Sequence, residues 1–269
     1  MNAAIRSEFR KFFSTRMWWV LAICMMAYFL LVSLGMGWVF GYEAANGGMP
    51  AEMMDAFRAS VYGLGPSMGY VFPVIVAAIG VTAEYRHNTI LPTFLGEPRR
   101  AVVMAAKAVA AVPMGLVIGA LGTLACLGGG AAGLVIGGAD HMLFTAATWK
   151  TAGLSVLAMT LWSLVGVGLG MLVISQVGVI IGVLAFTQLV EPLARMGLGM
   201  FDATSEIAKF LPGAASDSVA GGTSIYSMMM SVAGSGSVLN VWQGALVLAG
   251  YGIVFGLAGY FLRIRRDVA

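Results

Sequence analysis

Long uncharged stretches separated by short polar segments divide the chain into about six apolar units. Residues 17–41, 63–83, 108–138, 151–190 and 241–262 contain no Lys, Arg, Asp or Glu. In lipid, a helix satisfies its own backbone polar groups, and about 20 residues at ~1.5 Å each cross a hydrocarbon core of about 30 Å. The stretches at 17–41, 63–83 and 241–262 match that length, and 108–138 is long enough to tilt or break. As one helix, 151–190 would reach about 60 Å, twice the hydrocarbon thickness. It therefore divides, and its most polar interruption is Ser175-Gln176. This places a fourth span ending near 174 and a fifth over 177–193.

Composition agrees with this pattern. The chain has 269 residues and is 59% hydrophobic but only 10% charged, with a mean hydropathy of +0.90. A soluble domain carries about 25% charged residues, so a solvated surface cannot be built from this chain. The expected class is all-α: one polytopic membrane domain over 1–269, with six transmembrane helices. The 17–41 stretch exceeds the apolar region of a cleavable leader and reads as a retained span. Cys24 and Cys126 lie within apolar stretches and read as small buried hydrophobes.

Charge sets the orientation. Counted over alternating polar segments, Lys and Arg number eleven on the side holding Arg6, Arg10, Lys11, Arg16, Arg86, Arg99, Arg100, Lys107, Arg263, Arg265 and Arg266. The other side holds four: Arg58, Lys150, Arg195 and Lys209. Cytoplasmic segments carry the excess, so both termini are expected in the cytoplasm of a multi-pass plasma-membrane protein. The net charge of +3 does not mark a nucleic-acid binder, because no basic run interleaved with aromatics lies outside the apolar segments.

Three polar segments are candidates for function. Residues 1–16 place Ile5, Phe9, Phe12 and Phe13 at helical spacing, with Arg6, Arg10 and Lys11 on other faces. That is the pattern of an amphipathic interfacial helix. Residues 84–107 form a loop too long for a simple turn. Asn88 or Thr89 is placed to cap a short helix there, Pro92 is tolerated in its first turn, and Gly96 with Pro98 stops it. Residues 196–240 form a long outer segment in which Asp202 is a candidate cap for a short helix ended by Leu211-Pro212-Gly213, before a Gly-rich sequel containing Met228, Met229 and Met230. Glu191 is the acidic residue set closest to an apolar span. Beside it, Pro192 suggests a helix end, so Glu191 is either a functional group at depth or an interfacial one.

The order Glu84, Asn88-Thr89, Pro98, Arg99 and Lys107 resembles the inner loop of the permease subunits of type-2 ABC exporters. Asn88 stands where that family often has Gly. The basic N-terminal helix, the six spans, Glu191-Pro192, Leu211-Pro212-Gly213 and the terminal Arg265-Arg266-Asp267-Val268 fit the same pattern. The resemblance implies a coupling helix in the 84–107 loop, seated in a cleft of a separate cytoplasmic ATPase through Glu84, Arg86, His87, Asn88, Thr89, Pro92, Arg99 and Arg100. It also implies an interfacial helix using Arg6, Phe9, Arg10 and Phe13, and re-entrant helices within 196–240, with Glu191 and Pro212 as outer-gate candidates. A second copy or a homologue would complete the transport path, within membrane lipid.

No catalytic role is expected. The chain lacks a phosphate-binding G-x-x-x-x-G-K-[ST] loop and an H-E-x-x-H zinc helix, and its only histidines are His87 and His141. No metal site or cofactor is expected on this chain; ATP and Mg²⁺ belong to the expected ATPase. The competing reading is an ion-coupled secondary transporter or channel, which calls for intramembrane charges or broken helices. An intramembrane hydrolase is a third class, disfavoured because no span holds a histidine. The spans offer a generic lining of apolar, Met and aromatic residues, with no charged pocket evident and no carboxylate at mid-span. That lining, with the resemblance, suggests an amphipathic peptide, drug or lipid as substrate.

Overall fold

The computed structural model of the chain describes residues 2–48, 50–199, 206–224, 227 and 239–264. It is all-helical, with no strand among the described residues. The principal helices are α1 (Asn2–Ser14), α2 (Met17–Ala45), α3 (Ala51–Tyr62), α4 (Leu64–Met68), α5 (Val71–Arg86), α6 (Ile90–Gly96), α7 (Arg100–Ile136), α8 (Ala146–Leu172), α9 (Gln176–Ala185), α10 (Glu191–Gly199), α11 (Pro212–Val219) and α12 (Val241–Gly259). A π-turn, Phe186–Val190, joins α9 to α10, and a second, Tyr260–Ile264, extends α12.

Among the described residues, five helices are long and apolar enough to cross a membrane: α2, α7, α8, the run Gln176–Leu198 and the run Val241–Arg263. The stretch expected as the second span is divided instead. Its longer part, α5, has 16 residues, about 24 Å and so short of the ~30 Å core. Pro73 explains the division, because it has no N–H to give to the carbonyl of Gly69. The helix starts at Val71 with Pro73 in its first turn, where an N–H is not needed. Between α8 and α9 the chain breaks at 173–175, and Ser175 Oγ accepts the Gly178 N–H at 3.2 Å, capping α9.

The most enclosed of the long helices is α8, which packs against α5, α7 and α12. Its buried Trp162 stacks on Tyr70 at 4.4 Å between ring centres and donates from Nε1 to Ser216 Oγ at 2.8 Å. Ser216 in turn donates to the Pro66 carbonyl at 3.1 Å. One aromatic pair thus ties α4 and α5 to α8 and to the buried helix α11. Asp202, Met228, Met229, Met230, Arg265 and Arg266 lie outside the described residues.

Glycines let these helices approach. Gly129, Gly133 and Gly137 on α7 face the backbone of α2 at Leu30, Leu34, Trp38 and Tyr42, while Gly37 and Gly41 face back. Gly166 and Gly170 do the same for α8 on α5, and Gly115 and Gly119 for α7 on α8. By contrast, open space surrounds Gly182, and Gly178 meets only its own turn. A Cβ at Gly133 would lie 2.8 Å from the Trp38 backbone nitrogen, too close for either helix to absorb by a rotamer change. Gly133→Val is therefore expected to lower stability by about 1–3 kcal/mol through overpacking. Thermal melting in detergent checks this, with Gly182→Ala as the control that loses nothing.

Of the two cysteines, Cys126 is buried as expected. Cys24 is exposed, because it lies on the outward face of α2.

Candidate functional site

The buried charges form two clusters, one at each end of the bundle. At the end carrying α1, the close of α5, the start of α7 and the short α6 converge. Glu8 on α1, Glu84 on α5 and Lys107 on α7 are all buried; Lys107 is 4% exposed and Glu84 5%. Lys107 Nζ reaches Glu8 Oε2 at 2.8 Å and Glu84 Oε1 at 2.7 Å. Lys11 Nζ reaches Glu8 Oε1 and Glu84 Oε1, each at 2.7 Å, and donates to Thr93 Oγ1 of α6 at 3.3 Å. Two carboxylates and two ammonium groups give a quartet of zero net charge that joins α1, α5, α6 and α7. Burial, the largest influence on Lys11, pulls its pKa down. Hydrogen bonds and charge from Glu8 and Glu84 outweigh it and hold the pKa above the usual 10.5. Lys11 thus stays charged throughout the neutral range.

Beyond the quartet the chain reverses sharply. Thr89 N–H donates to the Glu84 carbonyl at 2.9 Å and Asn88 N–H to the Tyr85 carbonyl at 3.3 Å, the paired bonds of a Schellman ending. Asn88 sits at φ 54°, the left-handed region that glycine favours and asparagine tolerates. Its role is therefore to end α5. Neither Asn88 nor Thr89 caps α6 through its side chain, which corrects the expectation of a cap there.

The residues expected to meet a partner separate into two sets. Arg86, His87, Asn88, Thr89, Pro92 and Arg99 are exposed. Arg86 donates to Gln176 Oε1 at 3.1 Å, and partly exposed Arg100 lies 5.4 Å from the centre of the Phe94 ring. Glu84 lies in the interior, held by two lysines, and is not on the surface that α6 presents. Two apolar side chains on α6, Leu91 at 54% and Leu95 at 86% exposure, belong to that surface and were not singled out from the sequence. On α1, Arg6 and Arg10 are exposed, Phe9 is half-buried, and Phe13 packs edge-on against Trp18.

The second cluster occupies the opposite end. The expectation of an uncharged lining fails here, because Glu191 at 1% exposure, Arg195 and Asp217 are buried together. Arg195 donates from Nη2 to Glu191 Oε1 at 3.1 Å and from Nη1 to Asp217 Oδ2 at 2.7 Å. Tyr70 donates to Glu191 Oε2 at 3.3 Å, Ser67 to Asp217 Oδ1 at 3.3 Å, and the Gly213 N–H to Glu191 Oε1. A side chain at Gly213 would collide with both Glu191 and Arg195, so the close approach requires glycine. Pro212 opens α11 at its first helical position and is buried. A cavity of about 310 Å³ adjoins the cluster, lined by Tyr28, Tyr70, Gln188 and Ser224 among others.

No protein-family model matches this chain, and no curated protein matches it.

Chemically, both clusters are ion-pair networks. Among the described residues, no group of three or more His, Cys, Asp or Glu side chains is placed to hold a metal ion. Both networks join helices that are distant in sequence. Neither pairing was read from the sequence, although a signal for part of each exists: Glu8 with Lys11 at spacing three and Glu191 with Arg195 at spacing four are pairs that meet on one helix face. Nothing along the chain marks Asp217 as their partner.

Proposed function

We propose that the chain is the membrane-spanning, non-catalytic subunit of an ATP-driven ABC exporter. In this reading it crosses the plasma membrane six times, with α4 and α5 forming a broken second crossing and both termini cytoplasmic. Two copies, or one copy and a homologue, enclose the path, and a separate cytoplasmic ATPase holds ATP and Mg²⁺. The transported molecule is an amphipathic peptide, drug or lipid. α10 and α11 serve as re-entrant elements over the outer end of the path, with Glu191 and Pro212 at the gate.

One observation carries this reading: the exposed α6 is mounted on the transmembrane helices through the buried Lys11–Glu84–Lys107–Glu8 quartet. A push on α6 would thereby reach α5, α7 and α1 together. The surface available for that push combines Leu91 and Leu95 with exposed Arg86, His87, Asn88, Thr89, Pro92 and Arg99. Exposed apolar side chains rimmed by polar ones mark a surface suited to contact with a partner.

Leu95→Asp tests this directly. Its side chain makes little contact with the rest of the fold, so the variant should melt like the parent chain. Recovery of an ATPase with the tagged chain from native membranes should fall about tenfold or more, as expected when an apolar anchor is lost. If the parent chain recovers no phosphate-loop ATPase, or the variant recovers as much as the parent, the reading fails.

A second reading, the ion-coupled transporter or channel, is favoured by the outer cluster. Buried carboxylates beside a π-turn in the run Gln176–Leu198 supply the intramembrane charges and broken helix that class calls for. Arg195 pairs with both carboxylates, and this favours a structural role over an open ion site. Transport in proteoliposomes driven by an ion gradient without ATP would decide for the second reading.

A further inference from the structure

In the second cluster one hydroxyl proton serves two buried acceptors. Tyr70 Oη lies 3.3 Å from Glu191 Oε2 and 3.3 Å from the Thr187 carbonyl oxygen. Both separations exceed the roughly 3.0 Å at which O–H···O bonds ordinarily end, as expected of a proton divided between them. The Thr187 carbonyl turns to Tyr70 because of its place in the helix. In the π-turn Phe186–Val190 the Glu191 N–H goes to the Phe186 carbonyl, and Pro192, next in line, has no N–H to give. Arg195 and the Gly213 N–H address Glu191 through Oε1.

The charge of the cluster is unbalanced in the same sense. One guanidinium, Arg195, faces two carboxylates, Glu191 and Asp217, which leaves a net charge of −1, whereas the quartet sums to zero. The groups nearby on other elements add no cation. They are Tyr70 before α5, Tyr28 of α2 on the same cavity, and Tyr251 of α12, whose hydroxyl donates to the Phe210 carbonyl at 3.1 Å. Lys209 is paired with Glu206. Residues 200–205 and 225–238, outside the described residues, contain no Lys or Arg. A buried negative charge without a counter-ion is costly, and the smallest cation that removes it is a proton. Arg195 already takes the position between the carboxylates where a metal ion or an ammonium group would sit.

We infer that Glu191 is a reversible proton-binding site, and that its proton sets the direction of the Tyr70 hydrogen bond. One proton from solvent ends on Oε2. The acid then donates to Tyr70 Oη, and Tyr70 gives its own proton wholly to the Thr187 carbonyl. Neither oxygen shares a donor any longer, and the cluster is neutral. When the proton returns to solvent, Tyr70 turns back toward Glu191 and its hold on the π-turn weakens. Tyr70, Thr187 and Glu191 all border the cavity of about 310 Å³, and a proton needs only a hydrogen-bonded path to enter. The site is independent of the exporter reading, since its geometry requires neither ATP nor an ATPase.

Infrared difference spectra of the full chain in lipid nanodiscs, recorded across a pH titration, test the site. Glu191→Gln keeps an acceptor for Arg195 and Gly213 and supplies a donor to Tyr70, so it imitates the protonated form. A protonated-carboxyl C=O band should rise on acidification in the parent chain, and its Glu191 component should be lost in this variant. Subtracting the spectra of Tyr70→Phe, which keeps the stack on Trp162, isolates the Tyr70 phenol. The phenol C–O band should shift with the same midpoint as the carboxyl band, and in Glu191→Gln it should hold its acid position at every pH. In Tyr70→Phe the carboxyl band should persist at higher frequency, because its hydrogen-bond acceptor is gone; this reads the site even if Glu191→Gln does not fold. A carboxyl band identical in the parent chain and Glu191→Gln would overturn the inference. So would a Tyr70 band that ignores the carboxyl titration, or a carboxyl band that stays at the parent frequency in Tyr70→Phe.

Discussion

Lys107→Met is expected to cost about 3–5 kcal/mol, because it leaves Glu8 and Glu84 buried with only the half-exposed Lys11 between them. Desolvation of an unpaired carboxylate supplies most of that cost, so removing one partner is worse than removing all. The triple variant Lys107→Met, Glu8→Gln, Glu84→Gln should therefore recover much of the loss. Thermal melting in detergent measures the first effect and its rescue. Limited proteolysis at Arg6 and Arg10 measures the second consequence, release of α1 from the bundle: faster cleavage in Lys107→Met and slower cleavage in the triple variant are expected. A triple variant less stable than the single one would show that the quartet is held by its charges and not merely tolerated. Within the exporter reading, Lys107→Met should also separate ATP turnover from transport, since α6 would no longer pull on α7.

Arg195→Met is expected to be comparably severe, at about 3–5 kcal/mol, because it leaves two carboxylates facing each other in the interior. Glu191 would keep the Tyr70 hydroxyl and the Gly213 N–H, and Asp217 the Ser67 hydroxyl, so hydrogen bonding survives while charge balance does not. Adding Asp217→Asn should return more stability than adding Ser67→Ala, which removes a bond but no charge. The order of the two double variants in a melting experiment checks whether charge or hydrogen bonding governs this end. A loss under 1 kcal/mol for Arg195→Met would mean that solvent in the adjoining cavity neutralises the pair.

The polar loops were harder to read than the apolar spans, for reasons visible in single residues. Asn88 was expected near a helix start, and its side-chain chemistry suits a cap. Its left-handed backbone instead ends α5, and that depends on bonds to Glu84 and Tyr85 that composition does not announce. Glu84 reads as a loop residue facing a partner, yet α1 folds back to cover it with Glu8 and Lys11. Glu191 was singled out, but the apolar lining expected throughout overlooks its partners Arg195 and Asp217, because a charge carried in a polar segment can still be folded inward, as Asp217 is on α11.

The sequence by itself determined that the chain is an all-helical membrane protein, where most of its long apolar helices run, and that one of them breaks near Ser175. These follow from local quantities: a helix must satisfy its own backbone in lipid, and its length must match the hydrocarbon layer. Which helices the glycines bring together, α2 with α7 and α5 with α8, was decided by the packing and not by their spacing. Only the tertiary structure decided which charges are buried and with whom. Pairing Glu8 with Lys107, or Arg195 with Asp217, depends on where α1 and α11 return to the bundle, a long-range outcome of packing that no window along the chain contains.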